Sequence, residues 1–427
     1  MRIVQITPGA GDNYYCENCV RDAALVRAIR NLGHDVLMVP MYLPIPGEMG
    51  SAAEGNEIFF GGVNVYLQQK WGIFRRTPRW VDWIFDRPGL LRWVGRKSDM
   101  TSAKGLGELT MSTLAGEGGR QAKEFRRLVE WLGRAENRPD VVCLSNVLLA
   151  PLAGAIKRSL GVRVFCILQD EDGFLDGLSE PYRGQAWGLL GELAKDVDGF
   201  ISVSRYYAEV MSERLGIGQE RMSVVHVGIE LEDFDGVKAE AAVPTVGFLS
   251  QMCFNKGLDV LADAFIRLKG NDKLKNARLR VAGGRRSSDE AFIEGICKKL
   301  EANDVGGDVE FWEGFDRAAK VDFLRGLSVV CVPEKEAVAY SLYVLEGLAV
   351  GVPFVEPSSG VFRELAELTG GGVLYEAHDA DSLVGTLEGV LVDGERGRAL
   401  GERGRDAVLS KFDIVQTAEA FLRIFEE

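Results

Sequence analysis

Residues 245–268 read TVGFLSQMCFNKGLDVLADAFIRL, and this stretch decides the fold. TVGFL is a short apolar run of the kind that forms a strand buried on both faces. A turn containing Lys256 and Gly257 follows, and then apolar residues at 258, 261, 262, 265 and 268 recur at helical spacing. Strand, turn and amphipathic helix make half of a βαβ unit, and repeated units of this kind build a parallel sheet.

The same alternation runs outward in both directions. Downstream, ARLRVAG (277–283), DVEFWE (308–313), VVCVP (329–333) and PFVEP (353–357) predict strands, with helices near 257–269, 288–301, 317–325, 342–350, 379–391 and 395–410. Upstream, RIVQIT (2–7), DVLMVP (35–40), VVCL (141–144), VRVFCIL (162–168), GFISVS (199–204) and MSVVHVG (222–228) predict strands. Helical patterns at 18–32, 147–160, 182–195 and 206–215 separate them. An acidic, Ala-rich stretch at 230–243 reads as a linker. The expected architecture is α/β, with two Rossmann-like parallel-sheet domains facing a cleft, at 1–238 and 243–411. Residues 45–125 are too long for a βα connection and read as an insertion.

Composition agrees with two ordinary globular domains. The chain has 427 residues, 46% of them hydrophobic and 26% charged, which excludes disordered, collagen-like and disulfide-scaffold classes. Net charge is −13, from 50 Lys+Arg against 63 Asp+Glu, so no nucleic-acid partner is expected. No run reaches the ~20 apolar residues that span a bilayer, and the N-terminus lacks a signal pattern. Seven cysteines at irregular spacing point to a reducing, cytoplasmic setting. Three scattered histidines and a lone Cys16/Cys19 pair do not form a zinc site, so no metal is expected. That pair precedes the first helix; packing of its first turn is expected, and no redox role.

Candidate ligand contacts lie where strands end. Gly9 and Gly11 follow the first strand without the third glycine of a dinucleotide fingerprint; a tight turn and a backbone approach to ligand are both open readings. Lys256 opens a helix, a place that suits a diphosphate, although a lysine there also serves as a solvated charge. Glu346 sits among Val344, Leu345, Leu348 and Ala349, so its carboxylate is expected to find hydrogen-bond donors such as ribose hydroxyls. Gly284 and Arg285, with Arg286, follow the strand ARLRVA and read either as phosphate contacts or as a solvated turn. Gln169-Asp170-Glu171-Asp172 is an acidic run after another strand, open to acceptor hydroxyls or to plain solvation.

Four fragments in order carry a resemblance. They are MRIVQITPGAG with LGHDV (32–36), VVHVGIELEDF (224–234), VGFLSQMCFNKGLDVLADAF (246–265) and LEGLAVGVPFVEPSSGVFREL (345–365). Over nearly its whole length the chain resembles the retaining, GT-B-type nucleotide-sugar glycosyltransferases of the family 4 kind. The resemblance implies an acceptor-binding first domain, a donor-binding second domain, and a C-terminal helix (412–427) that packs back on the first. It implies transfer of a sugar from a nucleoside-diphosphate sugar to a hydroxyl acceptor with retention, without metal or other cofactor. A non-catalytic nucleotide-sugar-binding or scaffold protein on the same fold is the alternative.

The resemblance assigns Lys256 and the Ser341-Leu342 backbone to the diphosphate and Glu346 to ribose. It also shows departures. The family's Arg of the first donor-domain turn is Gln251 here. Its signature is a pair of glutamates at a fixed interval; with Glu346 as the second, the first falls at Val338, with Glu334 and Glu336 as the nearest acids. Its loop glycine is Ser341, which can cap the helix. Where many members carry a His in the first domain, this chain has Ser145-Asn146. Asn146, Asp170 and Glu336 are therefore the candidate catalytic groups.

The insertion holds a further candidate. Between Lys70 and Lys97 lie eight basic and two acidic residues and four of the seven tryptophans. Arg75, Arg76, Trp80 and Trp83 are expected to bind the acceptor, a glycan or lipid-linked sugar, with peripheral contact at the inner membrane face. A small aromatic core of the insertion itself is the other reading.

Overall fold

The computed structural model describes residues 1–8, 17–41, 103–234, 243–312 and 317–427. The chain divides into two compact units: Met1–His226 with Ala418–Glu427, and Val227–Thr417.

The first unit carries six parallel strands: β1 (Arg2–Thr7), β2 (Asp35–Pro40), β3 (Val141–Leu144), β4 (Arg163–Leu168), β5 (Gly199–Ser202) and β6 (Met222–Val224). They lie in the order β2-β1-β3-β4-β5-β6. Successive residues of β1, β3 and β4 are buried irrespective of which face they point to, because helices cover both sides. The helix Glu17–Asn31 buries Ala23, Ala24, Val26, Ala28 and Ile29. The final helix, Ile414–Glu426, is tied to this unit at its far end: the Phe425 ring lies 5.1 Å from Phe165, and its carbonyl accepts from the Arg163 guanidinium.

The second unit repeats the plan with β7 (Thr245–Leu249), β8 (Arg278–Ala282), β9 (Val309–Phe311), β10 (Val329–Val330), β11 (Phe354–Pro357) and β12 (Gly372–Tyr375). The order is β12-β11-β10-β7-β8-β9, again all parallel. Two Rossmann-like units are thus present, as the alternation predicts.

The structure differs from the sequence reading in detail. VVCVP pairs only through Val329–Val330, because the Val332 N–H leaves the ladder and donates to the Glu356 side chain at 2.9 Å. MSVVHVG pairs only as far as Val224. The helix Val361–Thr369 and the edge strand GVLY that follows it are absent from the sequence reading. GVLY is only half-buried until Tyr375, so it lacks the continuous apolar signal of an inner strand.

Both sheets have a point where successive connections reverse direction, between β1 and β3 in one and between β7 and β10 in the other. In open α/β sheets such a reversal leaves a crevice at the carboxyl ends of the strands, and ligands bind there.

Candidate functional site

At the second unit's reversal, the loop after β7 (250–257) meets the loop after β10 (331–341). The two are stitched together. The Lys335 N–H donates to the Asn255 carbonyl at 3.0 Å. The Lys335 ammonium lies 2.8 Å from Asp259 and 3.1 Å from the centroid of the Phe254 ring. Lys256 pairs with Glu334 at 2.8 Å, with side chains 26% and 3% exposed. Gln251 donates to Asp289 at 3.2 Å, and the Met252 N–H donates to the Gly284 carbonyl at 2.8 Å, which ties in the loop after β8. Arg285 beyond it is exposed.

Ser341 caps the helix Leu342–Ala349; its hydroxyl accepts from the Val344 N–H at 3.4 Å. Glu346 lies within this helix and pairs with Lys320 of the helix Arg317–Arg325. Their side chains are 10% and 14% exposed. Sequence reading had no sign of Lys320. Its helix is weakly apolar, and a partner 26 residues away leaves no local pattern.

Val338 is buried and its carbonyl accepts from the Val361 N–H at 3.0 Å, a packing role. Of the two acids near it, Glu336 is exposed and Glu334 is buried against Lys256. Glu356, at the end of β11, is fully buried, and burial pushes its carboxyl well above the usual range. Glu334 adds to that shift, while the Val332 N–H, Tyr343 and Lys256 oppose it.

At the first unit's reversal, Thr7 ends β1 and donates to the buried Asp22 at 3.4 Å. Arg21 pairs with Asp22; even so, burial holds the Asp22 carboxyl above its ordinary value. Ser145 and Asn146 follow β3, and Gln169 follows β4; all three are buried. Ser145 Oγ, Asn146 Oδ1 and Gln169 Oε1 have no hydrogen-bond partner among the described residues. Asn146 thus presents an acceptor at the carboxyl edge of the sheet. The acidic run splits: Asp170 is exposed in a left-handed conformation (φ 69°), whereas Glu171 is buried. The run is therefore neither a uniform solvated turn nor a set of equivalent acids.

Glu171 accepts from the Val147 N–H at 2.9 Å, the Gln169 N–H at 2.7 Å and the Tyr207 hydroxyl at 2.9 Å. It ties the segment after β3 to the segment after β4. Burial pushes its carboxyl up to about 7, against these hydrogen bonds. The native state therefore holds a proton that the unfolded chain releases near pH 4.5. Stability is expected to fall as pH rises through the window from 4.5 to about 7, by up to about 3 kcal/mol, and to level off above it. Urea unfolding at pH 5 and pH 8 checks this: Glu171→Gln should show a smaller drop than wild type, and equal drops would refute it.

Gly9, Gly11, Arg75, Arg76, Trp80, Trp83 and Cys16 lie outside the described residues, as does the Cys19 side chain. Among the described residues no helix is long and apolar enough to cross a membrane.

Comparison with known proteins follows the same division into halves. The family described as glycosyl transferases group 1 matches residues 232–407, and the glycosyl transferase 4-like domain matches residues 20–228. A D-inositol 3-phosphate glycosyltransferase of Catenulispora acidiphila is 26% identical over 253 residues, 57% of this chain and 59% of that protein. A phosphatidyl-myo-inositol mannosyltransferase of Mycolicibacterium smegmatis is 24% identical over 246 residues, 56% of this chain and 60% of that protein. The chain thus spans about three-fifths of the length of these curated relatives. The crystal structure of Anabaena HepE in complex with UDP superposes with a TM-score of 0.70 at 13% identity, covering 100% of both chains.

Proposed function

The chain belongs to the group 1 glycosyltransferases of GT-B fold, and from that premise we propose that it moves a sugar from a nucleoside-diphosphate sugar to a hydroxyl acceptor with retention of configuration. The observation that carries the reading is the reversal between β7 and β10. There a cation on one loop and a capped helix on the next face the carboxyl edge of the sheet.

Residues 243–411 are the donor-binding part. Lys256 holds the diphosphate and stabilises the charge that develops on it as the sugar leaves. The backbone at Ser341 and Leu342, at a helix N-terminus, adds a second positive end. Gln251, Gly284 and Arg285 line the neighbouring loops, and Gly9 and Gly11 belong to the same reading. Glu346 accepts from the ribose hydroxyls, since an ionised carboxylate is an acceptor only. These groups neutralise the diphosphate without a metal in the reaction we propose.

Residues 1–238 bind the acceptor, with 412–427 completing that domain. Asn146, Asp170 and Glu336 are the candidate catalytic groups; Asn146 Oδ1 is buried with no hydrogen-bond partner among the described residues, and Asp170 and Glu336 are exposed. No general base is required if the departing phosphate takes the acceptor's proton. The acceptor is a glycan or lipid-linked sugar, and Arg75, Arg76, Trp80 and Trp83 meet it. The inositol-lipid mannosyltransferase relative supports that class. The reaction belongs in the cytoplasm, with peripheral contact at the membrane.

Calorimetric titration with nucleosides and nucleoside diphosphates tests the donor assignment. Lys256→Ala should weaken diphosphate binding by about 1–3 kcal/mol and leave the free nucleoside nearly unaffected. Glu346→Gln should weaken both. Equal loss of nucleoside and diphosphate affinity in Lys256→Ala would sink the assignment.

A further inference from the structure

The Tyr207 hydroxyl stands between two carboxyl groups. It lies 2.9 Å from Glu171 Oε2 and 3.0 Å from Asp172 Oδ1, and it accepts from the Asp172 N–H at 3.2 Å. Tyr207 is buried in the first turn of the helix Arg205–Leu215, which follows β5. The hydroxyl thus joins the connection after β5 to the segment after β4, where Glu171 already holds the segment after β3. We propose that Tyr207 is a proton-controlled latch on Asp172. While Glu171 carries a proton, the Tyr207 hydroxyl donates to Asp172 and holds it; when Glu171 loses that proton, the hydroxyl turns to Glu171 and releases Asp172.

Tyrosine has a single O–H and cannot donate to both carboxyls at once. With both ionised, one of the two contacts would set oxygen against charged oxygen with no hydrogen between them. A proton on Glu171 Oε2 removes the conflict. That oxygen then donates to the Tyr207 oxygen, and the Tyr207 hydrogen is left for Asp172 Oδ1. The Val147 N–H keeps Glu171 Oε1 and the Gln169 N–H keeps Oε2, so every donor of the cluster has an acceptor. Glu171 is buried and Asp172 only half-buried, so the interior disfavours charge on Glu171 more. Its carboxyl, pushed up to about 7 by burial, agrees with that order. On ionisation the Glu171 O–H bond breaks, its proton goes to the buffer, and the Tyr207 hydrogen rotates about the C–O bond.

The surrounding groups leave this exchange to Glu171. The Cys166 thiol on β4 is pushed well up by burial, then by Glu171 and Cys143. Cys143 on β3 is pushed up in the same way. Tyr206 is raised by burial, then by Asp172 and Asp170. Arg214, further along the helix, is held ionised chiefly by Asp176 at 2.7 Å. Arg205, in the first turn, is exposed. Above the transition Asp172 is a free carboxylate at the carboxyl edge, able to accept from a sugar hydroxyl. That use rests on the reading of the first unit as the acceptor half; the latch itself does not.

Infrared titration of the full chain, with carboxyl-labelled glutamate and no sugar present, reads the proton. One protonated glutamate band should vanish between pH 6 and pH 8, with a midpoint near 7, and be missing in Glu171→Gln. Both Glu171 oxygens accept backbone N–H groups, which an amide nitrogen cannot do, so a second variant that keeps the hub carries the decision. In Asp172→Asn the neutral side chain competes less for the Tyr207 hydrogen, which favours ionised Glu171. The midpoint should fall by about one pH unit, a tenfold change in proton affinity. In a Tyr207→Phe background the same Asp172→Asn change should move it by less than about a third of that. Asp22 and Glu356, also raised by burial, have no hydrogen bond to Tyr207 or Asp172 among the described residues, so their bands should not respond. No band lost in that window, a midpoint indifferent to Asp172→Asn, or an equal shift without the Tyr207 hydroxyl overturns the latch. Each of these outcomes leaves the acceptor reading standing, because no acceptor enters the measurement.

Discussion

Gly257→Ala is expected to destabilise the second unit by roughly 4 kcal/mol or more and to abolish measurable diphosphate binding. Two independent causes act at this position. Its φ is +69°, a left-handed conformation that costs an alanine about 1–2 kcal/mol. A Cβ there would also sit 1.9 Å from the Pro333 carbonyl oxygen and 2.8 Å from its carbon. That oxygen has little room to retreat. The Cys331 N–H is held by the Gly247 carbonyl at 2.9 Å, and the Val332 N–H is held by Glu356 at 2.9 Å. The loops after β7 and β10 must therefore part, and the contacts that join them, Lys256 to Glu334 and Lys335 to Asn255, go with that movement. Gly295→Ala is the control. It lies in the helix Glu290–Ala302 with nothing within 4 Å of an added Cβ, so it should stabilise by about 0.5–1 kcal/mol. Urea unfolding and UDP titration of both variants check the pair of outcomes. A Gly257→Ala protein as stable as wild type would show that the two loops are not locked together.

The fold was legible because its information is local. Strands buried on both faces write themselves as unbroken apolar runs, and the helices between them keep a helical period. The elements that escaped are those with weaker signatures: β12, half-buried at the sheet edge, and the short helix before it. The candidate site was legible only where a residue's own neighbours constrain it. Glu346 stood out because an apolar helix surrounds a carboxylate. Lys320 did not, because nothing near it in sequence marks it as that carboxylate's partner. Glu171 was hidden within Gln-Asp-Glu-Asp, where four polar residues look alike. Which of them turns inward is decided by Val147, 24 residues before it, and Tyr207, 36 residues after it. Glu334 was visible only as an acid near Val338. Its burial against Lys256, 78 residues away, comes from the adjacency of β7 and β10, which no linear pattern encodes.

Lys320→Met is expected to cost about 3–5 kcal/mol and to impair nucleoside binding as well, although Lys320 is assigned no contact with the ligand. Both members of the Lys320–Glu346 pair are largely out of water. Taking charges from water is expensive, and their mutual attraction offsets that cost only while both are present. Removing the ammonium leaves a largely buried carboxylate without its cation, beside Val344, Leu345 and Leu348, whose side chains offer no donor. The double variant Lys320→Met/Glu346→Gln should then be more stable than Lys320→Met alone, because the stranded charge is gone. A coupling of about 2 kcal/mol or more in the double-mutant cycle is the expected measure. Ligand binding adds a second readout. If the ribose hydroxyls donate to Glu346, they share an oxygen pair that Lys320 also engages, so Lys320 positions the acceptor without touching the nucleoside. Lys320→Met should therefore weaken uridine and UDP to the same degree, whereas Lys256→Ala weakens UDP alone. Additive stability effects in the cycle, or unchanged uridine affinity in Lys320→Met, would separate the ion pair from the ribose site and leave it a purely structural tie between two helices.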